Sequence, residues 1–163
     1  EPQHKCESAG SPMVNPAFPK NQMVGVFNLE LARMYGYLYQ NTDKNFTVLH
    51  ALDGYDEISL TGNTKTISNN SEGMLKPEDF GVDAIKQSEI VGGEGIAESA
   101  QIFMNVLQGN GTEAQNNVVC ANAGIAIATV KNLSPKEGFE QAKESLLNGS
   151  GLKSLKKLQE LSA

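Results

Sequence analysis

The chain has 163 residues, 39% hydrophobic and 20% charged, with a formal net charge of −6. That length suffices for one domain with a real core, and a mean hydropathy of −0.32 with no long uninterrupted apolar run argues against a membrane span. The acidic balance disfavours non-specific binding to nucleic acid or anionic lipid, and Cys6 and Cys120 are too few for a disulfide framework or a zinc site.

Residues 1–12, EPQHKCESAGSP, show neither helical nor strand periodicity and are expected to be an irregular amino-terminal segment, a tag remnant or the edge of a fragment. They also show no secretory leader, so the cytoplasm is the expected compartment. Asn15-Pro16 and Pro19 then mark a loop, because proline forbids a continued helix or a central strand. Met23–Phe27 is a short apolar strand candidate. Asn28 can cap a helix to about Gln40 whose apolar stripe is Leu31, Ala32, Tyr35 and Leu38. The strand Phe46–His50 follows, and this β-α-β order favours parallel pairing through a right-handed crossover.

Past that strand the chain turns at Asp53-Gly54 and delivers two adjacent carboxylates, Asp56 and Glu57. On a regular strand neighbouring side chains point to opposite faces, whereas on a loop beyond a strand end they can converge on one cation. Hard ions such as Mg²⁺ are held by one or two carboxylates plus waters and substrate phosphates, and open α/β sheets bind ligands beyond the carboxyl ends of their strands. By itself, an Asp-Glu pair beside glycine is more often a solvated turn. Asp53 reads as the initiator of the turn, with support of the pair as its alternative. His50, at the strand end, is a candidate donor to substrate or a packed histidine bonded to backbone. Asn15 is a candidate shaper of a loop near a cleft or a plain X-Pro turn.

Further on, Asn63–Asn69 alternates polar and β-branched residues and reads as an edge or antiparallel strand. Lys76–Gly81 resembles one helical turn stopped by glycine, and Glu89–Val91 a short strand. Gly92-Gly93-Glu94-Gly95 lacks the third glycine of a dinucleotide pattern and carries a carboxylate that would repel phosphate, so it reads as a loop entering a helix. That helix, Ile96 to Leu107, carries Ala100, Phe103, Val106 and Leu107 on one face. Asn117–Val130 is apolar nearly all round, includes Cys120, and is expected to be a central buried helix, with Gly124 permitting close backbone approach. Ser134-Pro135-Lys136-Glu137 matches a capping box with proline at the first helical position. After a break over 148–151, a last helix presents Leu152, Leu155, Leu158 and Leu161, with Lys153, Lys156 and Lys157 on its solvated side.

The fold class expected is α/β: a partial, mostly parallel sheet packed by helices, with a helix-rich carboxyl-terminal half. Strands crowd the first 91 residues, so the chain reads as a fragment of a larger α/β domain.

SPMVNPAF, QMVGVF, VLHALDGYDEISLTG, KPEDFG, VGGEGIAESA, VLQG, NNVVCANAGIAIA and AKESLLNGSGLKSLKKL, in that order, resemble anthranilate phosphoribosyltransferases from about Pro12 to the end. The resemblance implies a fold like that of the pyrimidine nucleoside phosphorylases, with 13–163 as the carboxyl-terminal part of the α/β domain. It implies transfer of the phosphoribosyl group of phosphoribosyl pyrophosphate to anthranilate in tryptophan biosynthesis, with Asp56 and Glu57 holding the Mg²⁺ that accompanies the pyrophosphate. It also implies no nucleic-acid or membrane partner and a parent homodimer joined through amino-terminal helices. The family's glycine-rich phosphate cradle and its Lys-His-Gly-Asn segment do not occur here, Ser11 and Ala51 stand where glycine is usual, and the chain alone is expected to be inactive. The alternatives are a pyrimidine nucleoside phosphorylase relative, against which DGYDEIS followed by KPEDFG argues, and a non-catalytic binding domain on the same scaffold.

Overall fold

The computed structural model describes residues 15–69 and 71–162; the segment 1–12, with Cys6, lies outside the described residues. The first unit is strand β1 (Asn21–Gly25), helix α1 (Leu29–Gln40) and strand β2 (Asn45–Ala51). Asn28 caps α1, its side-chain oxygen accepting the Leu31 N–H at 2.8 Å. β1 and β2 pair in parallel, Asn21 opposite Asn45 and Gly25 opposite Leu49, as the β-α-β order predicts.

The chain then doubles back. β3 (Thr64–Ser68) lies antiparallel to β2, and β4 (Glu72–Leu75) antiparallel to β3, in spatial order β1-β2-β3-β4. The α/β class holds, but the sheet among the described residues is mixed rather than mostly parallel. The reason is local: the β2–β3 loop and the tight β3–β4 connection hold no helix, and a parallel return needs a long crossover. β3 is antiparallel as expected but internal, because β4, four residues too short to register as a periodic run, takes the edge.

No strand forms at Glu89–Val91. The Lys86 N–H donates to the Glu89 carboxylate at 2.7 Å and winds Gln87–Glu89 into a 3-10 turn. The Lys76–Gly81 segment is a 3-10 turn over Pro77–Phe80, ended by Gly81 in the left-handed region at φ 78°.

Four helices complete the chain: α2 (Ile96–Leu107), α3 (Glu113–Lys131), α4 (Pro135–Leu147) and α5 (Ser150–Ser162). The Ser134 capping box forms as the sequence predicts. α3 begins four residues before the apolar run, because Thr112 and Gln115 make a second capping box. It is not buried all round: Val119, Ala123 and Val130 make an exposed stripe. The break after α4 is shorter than expected, since Asn148 accepts the Ser150 N–H at 2.9 Å and α5 starts at once. α5 buries little, with Leu158 61% and Leu161 74% exposed.

The sheet divides two hydrophobic clusters. Phe46 and Val48 of β2 point to α1, joining Val24, Val26, Ala32, Tyr35, Tyr39 and Ile67. Leu49 points the other way, to α3 and α4, among Ile58, Leu60, Phe80, Cys120, Ile125 and Phe139. β2 is thus covered on both faces and its carboxyl end is firmly fixed. Burial pushes the Cys120 thiol above its ordinary range, as befits a packed small residue.

Tyr39 stacks on Phe46 with ring centroids 5.3 Å apart, and its buried hydroxyl has no hydrogen-bond partner among the described residues. Burial, then the neighbouring Tyr35, raises its phenol above the usual value. Tyr39→Phe removes the orphaned hydroxyl and keeps the ring. It is expected to stabilise the chain by about 1 kcal/mol, read as a higher urea midpoint; a lower midpoint would reveal a partner for the hydroxyl.

Candidate functional site

β2 runs out at Ala51 into the loop 52–63, where the sequence places its acidic pair. Backbone bonds close the base of this loop. The Gly54 N–H donates to the Ala51 carbonyl at 3.0 Å, the Ala51 N–H to Tyr55 at 3.0 Å, and the Leu52 N–H to Asn63 at 2.9 Å. Asp53 serves the turn. Its carboxylate takes the Ser59 hydroxyl at 3.2 Å and also the Thr61 hydroxyl, drawing the two limbs together.

Asp56 and Glu57 follow at the loop's outer side, both exposed and neither in an ion pair among the described residues. Their flanks are held on two sides. On one, Gly25 ends β1 directly beneath the Asp56 carbonyl oxygen, in space that any Cβ would invade. On the other, Ile58 is buried, and its backbone is bonded in both directions by Asn122 of α3. The Ile58 N–H donates to Asn122 Oδ1 at 2.9 Å, and Asn122 Nδ2 donates to the Ile58 carbonyl at 2.8 Å. Leu60 adopts φ 58°, a left-handed conformation that a leucine keeps only where its surroundings over-determine it; here its side chain is fully buried.

Two adjacent exposed carboxylates beyond a strand end suit Mg²⁺ completed by waters and phosphate oxygens. They do not make an all-protein cage, and no group of three or more His, Cys, Asp or Glu among the described residues is placed to hold a metal.

His50 and Asn15 lie at opposite ends of β1. His50 is buried, and its Nδ1 lies 2.8 Å from the Val26 carbonyl. Asn15 closes its own turn, accepting the Ala17 N–H on its side chain at 2.9 Å and the Phe18 N–H on its carbonyl at 3.0 Å. That turn leads to the amino end of β1, and the parallel register sets this end opposite to the one from which loop 52–63 leaves.

The Gly92–Gly95 loop enters α2 as the sequence predicts. Glu98 reaches back to accept the Glu94 N–H at 2.8 Å, so a carboxylate already fills the position a phosphate would take. A cleft of about 540 Å³ at the amino end of the sheet, lined by Asn45, Thr47, Ser68 and Thr129 among others, contains no titratable side chain among the described residues.

Asn122 is the residue that sequence reasoning misses. Its signal is an amide in the apolar run Val118–Ile127, seven residues before Thr129, which bonds Thr47 of β2 at 2.7 Å. Two polar residues two turns apart on one face of such a helix mark contacts with the sheet.

The chain matches the description Glycosyl transferase family, a/b domain, over residues 7–152. It is 75% identical over 151 residues to the anthranilate phosphoribosyltransferase of Flavobacterium psychrophilum, an alignment covering 93% of this chain and 46% of that protein. Against the enzyme of the same name from Bacteroides fragilis, identity is 44% over 92% of this chain and 46% of that protein. The chain therefore spans about half the length of the curated relatives it matches. Among solved structures it resembles the anthranilate phosphoribosyltransferase of Thermus thermophilus, with TM-score 0.75 and 25% identity over 82% of this chain and 40% of that one. It also resembles the Saccharomyces cerevisiae enzyme in complex with PRPP and Mg, with TM-score 0.73 and 24% identity over 84% and 40%.

Proposed function

The chain belongs to the Glycosyl transferase family, a/b domain, and from that premise we propose that it supplies the acidic metal loop for transfer of a phosphoribosyl group from phosphoribosyl pyrophosphate to anthranilate, in tryptophan biosynthesis. The observation that carries this is the exposed pair Asp56–Glu57, held on a fixed loop at the carboxyl end of a strand buried from Phe46 to Ala51. The relatives' shared name and the PRPP and Mg complex of the yeast protein support it.

Asp56 and Glu57 would hold Mg²⁺, which when bound neutralises the departing pyrophosphate and orients it as a Lewis acid and template. The chain's own residues supply position. Gly25 and Ile58 fix the backbone on either side of the carboxylates, and Asp53, bonded to Ser59 and Thr61, keeps the turn closed. Carboxylates held in advance need no reorganisation as charge develops on the leaving group. The ribose contacts, the phosphate cradle and the homodimer joined through amino-terminal helices are roles we assign to the longer protein that the relatives represent. The cytoplasm is the compartment we assign, and no helix among the described residues is long and apolar enough to cross a membrane.

Replacement of the matching segment of the F. psychrophilum protein by this chain tests the proposal. The chimaera is expected to consume anthranilate, followed by its fluorescence, in the presence of phosphoribosyl pyrophosphate and Mg²⁺, while this chain alone shows no turnover. A folded but inert chimaera would remove the assignment.

A further inference from the structure

We propose that Asn122 is the positioning residue of the metal loop, a role that rests on the reading of Asp56 and Glu57 given above. A carboxamide has one acceptor and two donor hydrogens. Asn122 uses them to grip a single residue through both its peptide groups, taking the Ile58 N–H at 2.9 Å and giving to the Ile58 carbonyl at 2.8 Å. Its remaining hydrogen goes to the Val118 carbonyl one turn back, at 3.0 Å, which fixes the side chain against its own helix.

The gripped residue is the one immediately after Glu57, so the loop cannot slide along α3 without breaking both bonds. Half-buried, the amide is partly shielded from competing water. Gly25 supports the loop from the opposite side, under Asp56. The pair is therefore clasped between the end of β1 and the middle of α3, and α3 is itself tied to β2 through Thr129 and Thr47. None of the three Asn122 bonds involves a carboxylate. Asn122 acts on the metal only through the placement of backbone.

The test uses the chain itself. Amide hydrogen exchange is compared for the unsubstituted chain, Asn122→Ala and Asp56→Asn/Glu57→Gln. In parallel, Mn²⁺ alone is titrated and paramagnetic broadening of the Asp56 and Glu57 amide signals is followed. In Asn122→Ala the Ile58 amide is expected to exchange about tenfold faster or more, with β2 amides unchanged. About tenfold more Mn²⁺ should be needed for the same broadening. Asn122→Ser, whose hydroxyl bonds one turn back but is too short to span to Ile58, carries the same measurements where the alanine chain does not fold.

Unchanged Ile58 exchange overturns the clamp. Faster exchange with an unchanged Mn²⁺ titration leaves Asn122 a purely structural residue and overturns its positioning role. If the unsubstituted chain, or Asp56→Asn/Glu57→Gln, shows the same weak and diffuse broadening, the metal reading itself falls, and with it the role of Asn122 at a metal. Exchange at Ile58 tells that failure apart from failure of the clamp.

Discussion

Asp56→Asn combined with Glu57→Gln, made in the chimaera described above, is expected to lower kcat by on the order of a hundredfold or more. The Mg²⁺ concentration needed for half-maximal rate should rise with it. Both side chains are exposed and neither has an ion-pair partner among the described residues, so removing their charge deprives the fold of nothing it uses. The unfolding midpoint should therefore move by no more than about 0.5 kcal/mol equivalent. That separation between activity and stability distinguishes a metal site from a solvated turn. A double variant with unchanged kcat and unchanged Mg²⁺ dependence would refute the assignment.

Gly138→Ala is expected to destabilise the chain by about 3 kcal/mol, at the upper end of the range for overpacking. Intrinsic helix propensity argues the other way, since alanine in place of glycine in a helix gains about 1 kcal/mol. The structure decides the sign. α3 and α4 cross backbone to backbone at Gly124 and Gly138. A Cβ on Gly124 would sit 2.7 Å from the Phe139 nitrogen, and one on Gly138 would run into the Gly124 carbonyl oxygen. Both obstacles are main chain and cannot rotate away, so the helices would have to part and open the cluster around Phe139 and Ile125. Gly151 in α5 is the contrast. A Cβ there finds only Leu107 at 3.5 Å, an ordinary contact, and Gly151→Ala should stabilise by about 0.5–1 kcal/mol. Urea unfolding of the two variants gives shifts of opposite sign. A stabilised Gly138→Ala chain would mean that the helices do not cross so closely.

Much of this architecture is legible from local signals. Asn28 before an apolar stripe, Ser134-Pro135 before Glu137, and Gly81 after a short turn each satisfy backbone groups within a few residues of themselves, so their effects need no knowledge of distant chain. The apolar run into β2 and the carboxylates beyond it are legible for the same reason. Illegible features are those whose partners lie far off in sequence. β3 reads as an edge because β4, which covers it, is short and weakly patterned. Glu89–Val91 reads as a strand on composition, yet among the described residues no strand pairs with it. His50 reads as either a substrate donor or a packed ring, and the Val26 carbonyl that its Nδ1 meets lies 24 residues away.

The amino-acid order by itself determined the five helices and the first three strands, that the first two strands run parallel, that Gly124 sits at a close approach, and that two acids stand together past a strand end. Those properties follow from periodicity, caps and the fixed geometry of neighbouring residues. Only the tertiary structure decided that the sheet is mixed, that Gly25 lies beneath Asp56, that Leu158 and Leu161 of α5 stay exposed, and that Asn122 reaches across 64 residues to hold Ile58. Each of these depends on which distant groups meet, and that is settled by the packing of whole elements rather than by any local preference along the chain.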